Sequence, residues 1–417
     1  MGVATIVDEH VSGTVPGNVP ADRIVDFDVY APAGIENGYH QAWKRLQAPG
    51  VPDLVWTAHN GGHWIATRGA MIAEFLNDPA HFSARVMMVS KAAGMEHKLI
   101  PMNMDPPEHA PYRQVLNKGL RLREVRNIET LIRDVAVGLI DGFAADGRVD
   151  FCAAYAQIFP IKVFLAFSGM PIADAPVLMG FAANMTRPEG DTPEAKAASL
   201  AAANAGFFDY IAPTVAARKA VPGDDWISKI IHSEVNGQPV TDYEINATIT
   251  LVMLAGLDTV INFLPFCMEY LARHPEQVAQ LRRNPRLVPR HAEELFRRFP
   301  LVAQARLVTQ EIVRDGMTLR QGDMVLVPST LHGIDDRQHD DPMTLDFSRR
   351  SMAHSTFGNG AHVCAGLHLA RLEVAVTMLE WLARIPEFRL EPGFEMVAHS
   401  GVVATVESLN LEWDVPT

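Results

Sequence analysis

Cysteine is scarce in this sequence. Only Cys152, Cys267 and Cys364 occur among 417 residues. Their number is odd and they lie far apart in the chain, so a disulfide framework is not predicted. Unpaired thiols are typical of reducing compartments. We therefore expect a cytoplasmic protein.

Low-complexity segments, internal repeats, linkers and blocks of like charge are also missing from the sequence. We therefore expect an irregular N-terminal segment over residues 1–35, followed by a single domain over residues 36–417. Apolar residues make up 48% of the chain and charged residues 20%, which is typical of a globular protein with a large core. The net charge of −13 argues against nucleic-acid binding.

The sequence shows neither a secretory signal nor a clear membrane span. Residues 1–8 lack a basic region followed by an apolar one. The longest apolar stretch, residues 251–268, contains Asp258 and Asn262. A helix in lipid would carry these polar side chains at a high cost in free energy. A buried core helix is therefore expected, and no membrane partner.

Apolar periodicity predicts a mainly α protein with small β-sheets. Apolar residues at three- and four-residue spacing predict helices from about residue 108 to 235, with a break between 184 and 193. Thr241 and Glu244 form a capping-box pattern, which predicts a long helix ending near Arg273. The remaining predicted elements are a hairpin over 54–57 and 63–67, helices over 289–299 and 365–384, and strands over 306–308, 317–319 and 324–327.

The most informative segment is the glycine-rich loop before Cys364. Gly358 and Gly360 permit a sharp reversal of the backbone. A helix expected from Ala365 would present unpaired amides and a partial positive charge to the sulfur, which stabilises a thiolate. The pattern indicates a ligand for a soft metal or a haem iron. A buried structural cysteine at a helix cap is the alternative.

This loop resembles the haem-binding loop of the cytochrome P-450 family of haem-thiolate monooxygenases. Phe357, Gly360, Cys364 and Gly366 match its pattern. His362 stands where most members carry Arg, a variation also found in the bacterial camphor hydroxylase branch, to which this chain is most similar. The resemblance covers nearly the whole chain. It implies the family's single-domain fold, with haem b between the long central helix and the cysteine-loop helix and with Cys364 as the iron ligand.

Glu294 and Arg297 lie three residues apart on the helix predicted over 289–299. On their own such pairs are typical of solvated helix surfaces and contribute little to stability. They match the family's Glu-x-x-Arg pair, and the resemblance implies that they fix the coil approaching the cysteine.

An acid and a hydroxyl, Asp258 and Thr259, occur in the middle of the long apolar helix. There they are costly unless they are hydrogen-bonded or functional. Thr259 can bond back to the carbonyl four residues earlier, so a helix irregularity with a capped core carboxylate is one interpretation. The resemblance implies another, in which Asp258 relays protons from solvent and Thr259 positions the oxygen intermediate for O–O cleavage.

The resemblance also assigns the haem propionates to cationic side chains. Arg113 matches the arginine that binds a propionate in the family, assisted by Arg306 and His362, through charge-assisted hydrogen bonds. Gln304 stands where the camphor hydroxylase branch has Asp, so propionate bonding or the haem potential is expected to differ.

Substrate contacts follow residue by residue from the camphor hydroxylase branch. Most are apolar, which suits a compact hydrocarbon and excludes water. His97 takes the place of a Tyr that binds the substrate ketone in that branch, and an imidazole can also donate to a carbonyl. We expect a cyclic terpenoid or norisoprenoid ketone of camphor to ionone size. The expected contacts are Met88, His97, Met102, Leu251, Leu254, Ala255, Val302 and Val403.

Electrons must come from another protein, because the chain contains no flavin or nicotinamide domain. Five cations between Arg113 and Arg126 stand out on an acidic chain. A solvated basic helix face would explain them. The resemblance implies instead a docking site for a [2Fe–2S] ferredoxin with an NADH-dependent reductase.

The expected activity is the hydroxylation of an unactivated C–H bond with O2. Two alternatives remain: a peroxygenase driven by hydrogen peroxide, and a haem-thiolate sensor without turnover. The Asp258-Thr259 pair weighs against both.

Overall fold

The computed structural model is about 52% helical and describes residues 13–91, 99–186, 189–190, 193–385 and 387–415. The α-helices are α1 Tyr39–Lys44, α2 Gly69–Asn77, α3 His109–Leu120, α4 Leu122–Asn127, α5 Glu129–Asp141, α6 Phe159–Phe167, α7 Ala175–Thr186, α8 Pro193–Ala220, α9 Trp226–Ile231, α10 Asp242–Arg273, α11 Pro275–Arg283, α12 Val288–Arg298, α13 Ser329–His332 and α14 Leu367–Arg384. The strands are β1 Leu54–Thr57, β2 His63–Ala66, β3 Phe82–Ser83, β4 Arg148–Asp150, β5 Glu234–Val235, β6 Gln238–Pro239, β7 Ala303–Val308, β8 Ile312–Arg314, β9 Met317–Leu319, β10 Met324–Pro328, β11 Arg389–Leu390, β12 Ala398–His399, β13 Thr405–Val406 and β14 Asn410–Glu412. The predicted mainly α class with small β-sheets is confirmed.

The chain forms two compact units. Of the described residues, the first unit contains those within 1–112, 294–364 and 398–405. The second contains the described residues within 113–293, 365–397 and 406–417. The cysteine loop through Cys364 therefore belongs to the first unit, and the long helix α10 to the second.

A five-stranded sheet in the order β1-β2-β10-β7-β3 is the centre of the first unit. Strands β1 and β2 form the predicted antiparallel hairpin, with Trp56 opposite Trp64. Strand β10 pairs with β2 in parallel and with β7 in antiparallel orientation, so that Val325 lies opposite Arg306. Most residues of these strands are apolar and buried, and Arg306 lies on β7, an interior strand of this sheet.

Helix α10 is the spine of the second unit. The predicted capping box at its start is confirmed, because Thr241 Oγ1 accepts from the amide of Glu244 at 3.3 Å and the Glu244 carboxylate accepts from the amide of Thr241 at 2.7 Å. The helix packs against α6, α11 and α14. It is long and apolar enough to cross a membrane, with a mean hydropathy of 1.8, but 61% of that window is buried in the protein, as in the core helix of a soluble protein.

Two local predictions were wrong. Strand β4 interrupts the region predicted to be helical, because Val149 pairs with Leu411 of β14, a partner far away in the sequence. Helix α14 begins at Leu367 rather than Ala365, because Gly366 adopts a non-helical conformation and caps it. The spacing of apolar residues predicts neither the long-range strand pairing nor the backbone conformation of Gly366.

Glu294 and Arg297 form a fully buried ion pair on α12, where both side chains are 0% exposed. The guanidinium donates to the carboxylate through Nε at 2.7 Å and Nη2 at 2.8 Å. It also donates to the carbonyls of Gly333, Pro342 and Thr344. Burial of two charges is tolerated here because every guanidinium N–H has an acceptor and both carboxylate oxygens accept hydrogen bonds.

The carboxylate extends this network to the coil that precedes the cysteine loop. Glu294 Oε1 accepts from the amide of Asp346 at 3.0 Å and from Arg349 Nε at 3.3 Å. Closer to the loop, Thr356 Oγ1 donates to the carbonyl of Phe296 at 2.7 Å, and the Phe296 and Phe357 rings lie 4.8 Å apart. Helix α12 therefore fixes the coil at several successive points.

Replacing Glu294 with alanine should leave a buried guanidinium without its counter-charge. We expect Glu294→Ala to lower the free energy of unfolding by about 3–5 kcal/mol, measured by urea denaturation followed by tryptophan fluorescence. Glu293→Ala is the matched control, because Glu293 pairs with Arg371 and their side chains are 30% and 36% exposed. Its loss should cost about 1 kcal/mol or less. Equal losses in the two variants would contradict the importance of burial.

Candidate functional site

The cysteine loop is a series of tight turns. The amide of Gly358 donates to the carbonyl of Ser355 at 2.8 Å, and the amide of Cys364 donates to the carbonyl of Phe357 at 2.7 Å. Between them lies a short 3₁₀ turn, Gly360–His362. These bonds return the chain on itself and leave Cys364 exposed at the end of the loop.

Gly360 is required by both conformation and space. Its φ of 65° is in the left-handed region. A Cβ at this position would lie 2.7 Å from the carbonyl oxygen of Leu76 in the last turn of α2. Gly358 has a similar φ of 69°, but a Cβ there would meet nothing closer than 3.5 Å. The loop therefore packs directly on α2 at Gly360.

The three thiols differ in their availability as ligands. Cys152 and Cys267 are buried, and burial raises the pKa of both thiols above the ordinary value. They are therefore protonated at neutral pH and are poor metal ligands. Cys364 is the exposed one.

Arg306 is a buried cation whose side-chain partner is a neutral amide. Its Nη1 donates to Gln304 Oε1 at 3.0 Å and to the carbonyl of Ala305 at 2.8 Å. Its Nη2 is buried and has no hydrogen-bond partner among the described residues. Burial lowers the pKa of Arg306 to about 10, although the charge of Asp105 opposes the shift. An orphaned buried guanidinium nitrogen is suited to an anionic ligand such as a carboxylate.

The other two predicted propionate ligands lie on separate elements. His362 is half-buried in the 3₁₀ turn of the first unit, and its ring centre lies 4.3 Å from that of His109. Arg113 is half-buried on α3 in the second unit, where its Nε donates to Asn117 Oδ1 at 3.0 Å. The structure therefore brings His362 and Arg306 into one unit and carries Arg113 on the other.

Asp258 and Thr259 are both half-buried in the middle of α10. Thr259 Oγ1 donates to the carbonyl of Ala255 at 3.0 Å, as predicted from the sequence. Ala255 and Gly256 are exposed, although Met253 and Leu257 beside them are buried. These two exposed small residues, the small-residue strip of α10, lie between buried neighbours and close to Asp258 and Thr259.

The Asp258 carboxylate is held by a residue whose role the sequence did not reveal. Asn262 Nδ2 donates to Asp258 Oδ1 at 3.2 Å and to its carbonyl at 2.7 Å. Asn262 Oδ1 accepts in turn from the amide of Val406 at 3.0 Å. The backbone at Val406 therefore orients the Asn262 side chain, which in turn orients the Asp258 carboxylate. The polar character of Asn262 in an apolar run was its only signal.

The predicted substrate contacts of the first unit include one direct pair. Val302 and Val403 form an isolated antiparallel bridge, and hydrogen bonds join the residues on either side of each. Met88 and Met102 are half-buried. His97 lies outside the described residues.

The predicted substrate contacts of the second unit lie on α10. Leu251 is buried, Leu254 is half-buried and Ala255 is exposed. They precede Asp258 on the same helix, so the apolar contacts and the acid-hydroxyl pair lie within a few turns of each other.

The residues present fit a haem. The first unit supplies an exposed cysteine thiol and a buried guanidinium nitrogen that needs an anion. A thiol for the iron and a cation for a carboxylate are groups that a thiolate-ligated porphyrin requires. Taken by itself, the second unit carries another cation, Arg113, and the small-residue strip of α10.

Comparison with known proteins agrees with this site. The cytochrome P-450 family model matches residues 199–396. The protein of Sinorhizobium fredii named "Probable cytochrome P-450 127A1" is 31% identical, and the match covers 96% of this chain and 97% of that protein. Nocardicin C N-oxygenase of Nocardia uniformis is 30% identical over 84% of this chain and 89% of its own length.

Solved structures show the same relationship. The crystal structures of CYP101J2 and CYP101C1 each have a TM-score of 0.89 and 38% sequence identity, and the match covers 96% of this chain and 100% of each of theirs. The predicted resemblance to the camphor hydroxylase branch, the fold and the thiolate-ligated haem b are thereby confirmed. The chain belongs to the cytochrome P-450 family and is a haem-dependent monooxygenase.

Proposed function

We propose that this monooxygenase hydroxylates an unactivated C–H bond of a small cyclic terpenoid or norisoprenoid ketone, of camphor to ionone size. The observation that carries the substrate class is the apolar character of its candidate contacts, from the Val302–Val403 bridge to Leu251 and Leu254 on α10. Side chains of this kind bind a compact hydrocarbon by excluding water, and a few polar groups orient it. The odd number of cysteines supports a cytoplasmic location.

In the proposed site, the loop from Phe357 to Gly366 holds the cofactor, and Cys364 is the iron ligand. Arg306, His362 and Arg113 bind the propionates, Arg306 through the buried Nη2. When bound, the haem supplies the oxygen-activating chemistry, and the protein supplies position, charge and protons.

Asp258 and Thr259 supply the protons. The half-buried Asp258 carboxyl is accessible enough to take up a proton from solvent, and Asn262 fixes its orientation. The Thr259 hydroxyl donates to Ala255 in this structure, which leaves its oxygen lone pairs available to accept a hydrogen bond in the pocket. The pair can therefore move a proton from the surface to Thr259 Oγ1.

Removing the Thr259 hydroxyl should disconnect electron use from product formation. We expect Thr259→Ala to lower the fraction of NADH electrons recovered in hydroxylated product by about tenfold, with hydrogen peroxide released instead. Thr250→Ala is the matched control, because Thr250 Oγ1 makes the same kind of bond, to the carbonyl of Asn246 at 2.8 Å, earlier on α10. Unchanged coupling in Thr259→Ala, or full activity of the parent enzyme with peroxide alone, would contradict the assignment.

We propose a [2Fe–2S] ferredoxin, reduced by an NADH-dependent reductase, as the electron donor. Arg121, Arg123 and Arg126 are exposed on and before α4. The pKa of His368 on α14 is lowered by burial and then by the charges of Arg371 and Arg126, so cations of both helices share one region. Such a cluster on a chain of net charge −13 favours an acidic partner.

Reversing one exposed charge in this cluster should weaken the use of ferredoxin. We expect Arg123→Glu to raise the KM for ferredoxin about tenfold at low ionic strength, and the effect should fade at about 0.5 M salt because exposed charges are then screened. Lys219→Glu is the control, at a 42% exposed cation on α8. An equal rise in KM for both variants would exclude a specific docking surface.

The substrate class can be tested without turnover. Cyclic terpenoid ketones should shift ferric haem from low to high spin on binding, whereas linear fatty acids should not, because the contacts suit a compact shape. We expect His97→Phe to weaken the binding of a ketone about tenfold and to leave the binding of the matching hydrocarbon unchanged. A response to fatty acids alone would contradict the proposal.

A further inference from the structure

A buried histidine outside the predicted site is linked to the cysteine loop. His332 is the last residue of α13, which follows directly after strand β10, and its exposure is 6%. Its Nδ1 lies 2.6 Å from Ser355 Oγ, and its Nε2 lies 2.9 Å from the amide oxygen of Gln338. Both ring nitrogens are therefore engaged on opposite sides of the ring.

Ser355 connects His332 to the cysteine loop, because it is hydrogen-bonded to both. Its hydroxyl is fully buried and donates to Asn359 Oδ1. Asn359 is the N-cap residue of the 3₁₀ turn Gly360–His362, and the turn leads through Val363 to Cys364. Three side chains thus join the end of α13 to the turn before the cysteine.

The direction of these hydrogen bonds follows from the number of protons. A hydroxyl has a single proton, and Ser355 gives it to Asn359, so Ser355 Oγ accepts from His332 Nδ1–H. Burial lowers the pKa of His332 to about 4, so the ring is neutral at pH 7 and Nε2 is an acceptor. An acceptor Nε2 cannot bond the amide oxygen that lies 2.9 Å from it, so this arrangement assigns the NH2 group of Gln338 to that position, with the amide oxygen and nitrogen exchanged.

Gly69 leaves just enough space for the His332 imidazole and the Gln338 amide. A Cβ at Gly69, the first residue of α2, would lie 2.5 Å from Cδ2 of His332 and 2.8 Å from the end of the Gln338 side-chain amide. Only a residue without a side chain leaves room for both groups. The imidazole is therefore held in one position between α2 and the loop.

We propose that His332 is a positioning residue for the haem ligand, which acts through Ser355 and Asn359 to hold the Cys364 loop in the conformation that ligates iron as a thiolate. The donor Nδ1–H is the essential atom, because it fixes the direction of the Ser355 hydroxyl. The inference rests on the proposed role of Cys364 and adds to it the side chains that hold its loop in one conformation.

Two substitutions separate the hydrogen bond from the volume of the ring. His332→Asn places an amide nitrogen near the position of Nδ1 and retains the donor to Ser355. His332→Gln places its amide near the position of Nε2 and loses that donor. Ser355→Ala removes the same bond from the other side, and Gln338→Ala removes only the outer partner.

The readout is the Soret absorbance of the reduced, carbonyl-treated protein, which reports sulfur ligation without substrate or ferredoxin. On warming, His332→Gln and Ser355→Ala should lose the thiolate band about tenfold faster than the parent protein, in keeping with the loss of one buried hydrogen bond. His332→Asn and Gln338→Ala should stay within about twofold of it.

The thermal midpoint of the far-ultraviolet circular dichroism, measured on the same samples, separates ligation from folding. Faster loss of the band at an unchanged midpoint supports the proposal. Equal band lifetimes in all variants, or no rescue by His332→Asn, would overturn it. So would loss of the band only in parallel with unfolding. A parent protein without the thiolate band would instead refute the role of Cys364 itself.

Discussion

The buried Glu294–Arg297 pair is the interaction on which the cysteine loop depends. The coil between α13 and the loop has little regular structure, so it lacks the repeated backbone bonds that define a helix or strand. The pair replaces them by donating to carbonyls at Gly333, Pro342 and Thr344 and by accepting from Asp346. Because both charges are fully desolvated, the network is favourable only when every partner is in place. Because one ion pair bonds several points of this irregular segment, the loss of one contact weakens the others.

A second principle recurs along α10 and the loop. Functional side chains are not held by their own element alone but by an amide or hydroxyl that is itself fixed by the backbone. Asn262 transmits the position of Val406 to Asp258, and Ser355 transmits the position of α13 to Asn359. Supporting groups of this kind restrict the rotamers of the residues they contact. Rigidity at the site therefore comes from groups that carry no reactivity.

How much of this could be predicted depended on the distance between partners in the sequence. The hairpin at Trp56 and Trp64, the capping box at Thr241 and the back-bond of Thr259 join residues close in the chain, so local patterns were sufficient. Strand β4 was missed because its partner Leu411 is remote. His332 was missed because nothing in the sequence links it to Ser355. The start of α14 was placed two residues early because Gly366 is compatible with either a helical or a capping conformation.

The two glycines of the loop have different tolerance to change. At Gly358 the constraint is only the sign of φ, so asparagine or aspartate, which enter the left-handed region at modest cost, are compatible with the fold. At Gly360 the carbonyl of Leu76 occupies the space of any side chain, whatever its backbone preference. Substitutions can therefore accumulate at Gly358 during evolution but not at Gly360, because helix α2 occupies the space that a side chain at Gly360 would need.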